Sequence, residues 1–173
     1  MRRLILGVIV AVFLSASAFA QEEKAPSTPE ERARIVKLAA DLKADPLNPS
    51  LTREREWAIM RLIEVPDIHI TLCSATMPWE KKYGDGGNLM AVELVSMGAY
   101  AIEHPDNKDD AAVGIAGLNA ALDAYQRILE RDPKSRSKKM DEMLLKRTNG
   151  TLEESVRTDW TKHCTEIAAV KVK

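Results

Sequence analysis

The chain has 173 residues, 25 of them basic and 26 acidic, a formal net charge of −1, two cysteines and 45% hydrophobic residues. That length suits one ordinary domain. Mixed charge without any basic block excludes nucleic acid and anionic membrane surfaces as electrostatic partners.

The chain opens with Arg2 and Arg3, continues as an apolar run from Leu4 to Leu14, and closes this stretch on Ala18-Phe19-Ala20. This order predicts a signal peptide, residues 1–20, cleaved after Ala20. As a helix the run is about 16 Å long, roughly half a bilayer core, so it reads as a leader and not as an anchor. No cysteine stands at the cleavage site for lipid attachment, and no later apolar run has spanning length. The expectation is a mature protein in the periplasm or the extracellular medium, without membrane insertion. Losing Arg2 and Arg3 moves its charge from −1 to about −3.

Residues 21–27 read as a polar leader without periodicity, and residues 28–173 as a single helical domain. Thr28-Pro29-Glu30-Glu31 predicts a helix start, with Thr28 as N-cap, Pro29 at N1 and Glu31 closing a capping box. Ile35, Leu38 and Leu42 supply its core face, and Asp45-Pro46 its end. A second helix is predicted from Leu51 to Glu64, with a solvated first turn and Trp57, Met60 and Ile63 facing inward. In Asp67–Cys73, Ile68, Ile70 and Leu72 alternate with polar residues as in a strand. A lone strand leaves its backbone groups unpaired, so the segment is read as a short helix.

Thr76–Gly87 is the longest break, and it carries Trp79, Tyr83 and Gly84-Asp85-Gly86-Gly87. Asn88–Glu103 is apolar on most sides, which predicts a central helix whose wet band runs through Glu93, Ser96, Tyr100 and Glu103. The longest helix follows, Asp109–Arg131, with a seam of Ala111, Ile115, Leu118, Leu122, Tyr125 and Leu129. Beside it runs a stripe of small residues, Gly114, Gly117, Ala121 and Ala124. Each glycine costs a helix about 1 kcal/mol relative to alanine, and close approach of a second helix accounts for them. A shorter helix spans Ser137–Arg147, with Met140, Met143 and Leu144 inward, and Asn149-Gly150 turns the chain. Thr151-Leu152-Glu153-Glu154 reads as a second capping box. It opens a last helix with Leu152, Val156, Trp160, Cys164 and Ile167 inward. The expected fold is all-α, an irregular antiparallel bundle of about six helices.

Ala121, Tyr125, Ile128 and Pro133 resemble the second helix of a tetratricopeptide repeat in the spacing of small residue, aromatic, apolar residue and closing proline. The resemblance covers Ala121–Pro133 alone. The preceding helix has Pro105, Lys108, Asp109 and Ala112 where that family places its Trp, Leu-Gly and Tyr. No further repeat of about 34 residues is present. What the resemblance implies is a TPR-like, peptide-binding scaffold.

Cys73 and Cys164 are the only cysteines and are expected to form a disulfide in an oxidising compartment. No Cys-x-x-Cys, His-Glu-x-x-His or phosphate-loop motif occurs, so neither a metal nor a cofactor is expected. His104, at a helix end, is expected to meet the carbonyl pole of the dipole. The expected function is non-enzymatic, an exported module recognising a protein or peptide through the loop that holds Trp79, Tyr83 and Asp85, because loop aromatics favour interfaces. The alternative is an enzyme using His69 and nearby carboxylates for acid–base work.

Overall fold

A computed structural model describes residues 24–77 and 86–164. Within them the chain forms six helices: α1 (Pro29–Ala44), α2 (Thr52–Glu64), α3 (Gly86–Glu103), α4 (Asp110–Arg131), α5 (Lys138–Thr148) and α6 (Leu152–His163). Single 3-10 turns at Pro49–Leu51 and Pro133–Ser135 precede α2 and α5. There is no strand among the described residues, so the fold is all-α. The predicted leader, residues 1–20, lies outside the described residues, as do Ile167 and the loop residues Trp79, Tyr83 and Asp85.

Local signals set several of the helix ends. Thr28 and Glu31 form the reciprocal box, the Glu31 N–H donating to Thr28 Oγ1 at 3.2 Å and the Thr28 N–H to Glu31 Oε2 at 2.8 Å. Asp109 accepts from the Ala112 N–H at the start of α4, and Ser137 from the Met140 N–H at the start of α5. The second box does not form. After α5 the Gly150 and Thr151 N–H groups donate back to the Arg147 and Lys146 carbonyls, at 3.1 and 2.9 Å. Gly150 has φ +72°, and Thr151 leaves this closure with ψ near 0°, its side chain capping nothing. Its hydroxyl lies 3.4 Å from the Lys146 carbonyl instead.

α2 and α3 run parallel, Arg55 meeting Asn88 and Leu62 meeting Gly98, and the other sequential helices pair antiparallel, as contacts equidistant from each connection show. Arg34 meets Glu54 and Arg61 meets Glu31 across α1 and α2. Glu93 and Met97 meet Gly117 across α3 and α4. Asp123 meets Arg147 across α4 and α5, and Lys146 meets Ser155 across α5 and α6. The main core gathers Ile35, Leu38 and Leu42 of α1, Val92 and Val95 of α3, and Leu118, Leu122, Tyr125 and Ile128 of α4, with Met140, Leu152 and Val156 from the C-terminal pair.

The small-residue stripe of α4 is buried throughout. A Cβ at Gly117 would stand 2.5 Å from Met97 Cγ and 2.9 Å from the Glu93 carbonyl oxygen, and one at Gly114 would stand 2.7 Å from the Trp160 ring. The stripe therefore seats α3 on one side and α6 on the other. Close seating also removes Glu93 from the expected wet band, since it is fully buried against Gly117. Ala121, Tyr125 and Ile128, the tetratricopeptide-like residues, are buried too. The Tyr125 hydroxyl accepts from the Ser137 N–H at 2.7 Å and donates to Asp141 at 3.0 Å, tying α4 to α5.

Two expectations fail in the first half. α2 buries Ala58 and Leu62, while Met60 and Ile63 stay 55% and 64% exposed. Leu62 slots over Gly98 of α3, which rotates Ile63 away from the bundle, and Trp57 turns toward α1 to lie under the Arg34 guanidinium at 3.7 Å. The segment Asp67–Cys73 is no helix: residues 66–68 bend and residues 69–73 carry no regular structure.

Candidate functional site

The segment between α2 and the Ser74–Thr76 turn is held at both ends. At its start, the Asp67 carboxylate accepts from the Ser27 N–H and hydroxyl, each at 2.8 Å, and from Arg32 at 2.5 Å. Burial works against ionisation there, yet the Ser27 donors and the Arg32 guanidinium outweigh it and hold Asp67 at a pKa of about 2. At the other end Cys73 and Cys164 form the expected disulfide, with Cα atoms 5.6 Å apart and both residues buried. The Thr76 N–H and hydroxyl both donate to the Cys73 carbonyl at 3.1 Å.

Between these anchors the side chains alternate. Ile68, Ile70 and Leu72 line a groove of about 330 Å³ with Ile59, Leu62, Ile63 and Val65 from α2 and its end, and Leu94 from α3. His69 and Thr71 turn toward Asp110, the Thr71 hydroxyl 3.3 Å from His69 Nε2 and donating to Asp110 at 2.8 Å, while His69 also borders the groove. Residues two apart on one face are the mark of an extended course. The anchors explain why no helix forms: Ile68 and Cys73 are both driven into cores, and an extended course carries the chain between them. The unpaired backbone that argues against a lone strand is tolerated because much of the stretch is open to solvent, His69 and Leu72 being exposed.

A second cleft of about 360 Å³ and mixed lining lies beside His69, with Arg32, Asp67, Lys108 and Asp110 on its polar side and Ile68, Ile102 and Val113 on its apolar side. It brings His69 toward a carboxylate, with Nε2 3.9 Å from Asp110 Oδ2. That exceeds hydrogen-bond reach, Asp110 is taken by Thr71, and the His69 side chain is 80% exposed. Arg32 is committed to Asp67. His104 stacks on Tyr100 with ring centroids 4.1 Å apart and its Nδ1 2.9 Å from the Tyr100 carbonyl, at the C-terminal pole of α3 as expected. No cluster of three metal-ligating side chains occurs among the described residues. No helix among them is long and apolar enough to cross a membrane.

Of the residues singled out in the sequence, the structure joins Cys73 to Cys164 and places His69 on the rim shared by the groove and the cleft. The groove itself was missed. Its signal is the strand-like alternation of Ile68, Ile70 and Leu72, which has no partner strand in the sequence. Comparison of the chain with protein-family models, with curated proteins and with solved structures finds no match.

Proposed function

We propose that the chain is an exported, non-enzymatic binding module that recognises a protein or peptide, and that the groove between α2, residues 65–73 and α3 is its binding surface. The observation that carries this reading is the exposure of Ile63 (64%) and Leu72 (50%) on the walls of an apolar groove. Large apolar side chains left in water around a concavity mark interaction sites. Export is supported by the leader pattern of Arg2–Ala20 and by the disulfide, a bond that persists in oxidising compartments. The loop of Trp79, Tyr83 and Asp85 follows Thr76 closely in the chain and is a second surface for the same partner. Acid–base chemistry by His69 has less support, because its side chain stands in solvent beyond hydrogen-bond reach of the nearest carboxylate.

The test is site-specific photo-crosslinking in cells that export the protein. A photoreactive residue in place of Ile63 should give a discrete adduct that disappears when Leu72→Asp is added. The same residue in place of Met60, which is 55% exposed but lines no part of the groove, should not give it. Equal adducts at both positions, or one indifferent to Leu72→Asp, would remove the groove from consideration.

A further inference from the structure

This inference rests on the binding reading and specifies how the partner is held. Across Ile68–Leu72 the main-chain N–H and C=O groups have no hydrogen-bond partner among the described residues. Every such residue offers one donor and one acceptor, and in an extended chain alternate residues present these in a row along one edge. A helix consumes its own backbone groups internally, and a proline-rich segment lacks donors. The chemistry that matches such a row is another extended main chain. The edge is also pre-set: the Asp67 cluster and the Cys73–Cys164 bond fix its two ends, so little ordering remains to oppose association. Beside it, Ile70, Leu72, Ile63 and Leu94 form an apolar floor.

We infer that His69–Leu72 is a strand-addition edge and that its occupant is an extended segment of another protein, with β-branched or aromatic side chains at alternate positions and no proline. Past the bend at residues 66–68, the four residues of edge extend about 13 Å, enough for a segment of about four residues. The occupant's alternate apolar side chains enter the groove, while its intervening residues face the side of His69 and Thr71.

The probe is the peptide acetyl-Lys-Val-Thr-Val-Thr-Val-Lys-amide, fluorescently labelled, titrated into the oxidised full-length mature chain. Two further versions carry N-methyl groups on the valines or on the threonines, so that each removes the donors of one edge only. Strand addition predicts that the parent binds, that one methylated version loses about tenfold or more in affinity for two or three lost hydrogen bonds, and that the other binds within about twofold. If both methylated versions bind like the parent, the groove holds peptides by side chains alone; the inference then falls while the binding reading stands. Failure of the parent peptide to bind also overturns the inference, whereas the binding reading is decided by the crosslinks at Ile63. Hydrogen exchange of the peptide-free chain tests the competing occupants. Slow exchange at the His69–Leu72 amides would overturn the inference, assigning the edge to a second copy if it depends on concentration and to the chain itself if it does not.

Discussion

Gly117→Ala separates two opposed effects at the α3–α4 contact. Helix propensity favours alanine by about 1 kcal/mol. Against this, the new Cβ would sit 2.5 Å from Met97 Cγ and 2.9 Å from the Glu93 carbonyl oxygen. Met97 has rotatable bonds to spare, but the carbonyl belongs to the backbone of α3, so the helices must part. Overpacking of this kind costs about 1–3 kcal/mol, and forced separation of a central pair puts the cost near the upper end. A net loss of about 1–2 kcal/mol is expected, read as a lower midpoint in urea unfolding followed by far-UV circular dichroism, with unchanged slope. Gly98→Ala is the control. Its Cβ would meet Leu62 Cδ atoms at 2.6 and 2.7 Å, the tips of a side chain that can rotate toward the exposed side of α2, so its loss should be the smaller. A Gly117→Ala protein as stable as the parent would refute the claim that this glycine exists for close approach.

Reduction of Cys73–Cys164, which are separated by 91 positions, should lower unfolding stability by about 4–5 kcal/mol in the chain-entropy model, measured by urea titration with and without reductant; unchanged stability would mean the bridge constrains nothing. Asp67→Asn should be destabilising in a pH-dependent manner. Because the folded pKa of about 2 lies below the ordinary 3.8, the carboxylate's contribution is complete above about pH 4–5 and vanishes as pH falls through 2. The difference between Asp67→Asn and the parent, about 1–2 kcal/mol at neutral pH once the shift is discounted for solvent screening of this exposed cluster, should shrink over that range in paired thermal melts, and a difference constant with pH would show that the shift is absent.

How much of this was legible in the sequence depends on the range of the interaction. The capping box of Thr28 with Glu31 and the turn at Asn149-Gly150 are decided within four residues, and both are legible in the sequence. The small stripe of α4 was legible for a different reason: glycine at 114 and 117 carries a local cost that only a neighbour can offset. The inward face of α2 was not legible. Trp57, Met60 and Ile63 and the pair Ala58 and Leu62 are both helical stripes, and the choice between them was made by Gly98 on another helix. Thr151 shows the same limit at short range, since the closure of α5 claimed the conformation that its capping box required.

The segment Ile68–Leu72 exposes the weakest link in reading structure from pattern. Alternation predicts an extended chain, and only a requirement that its backbone groups be paired within the fold points to a helix instead. Pairing is demanded only of buried groups; at a surface, water meets the need at no net loss. Two anchors remote in sequence, Ser27 with Arg32 at one end and Cys164 at the other, then suffice to hold the chain extended. A stretch whose main-chain groups have no partner among the described residues can take up those of another chain without breaking anything inside the protein. For that reason the place where the reading of the sequence failed is also the place where a binding surface is best sought.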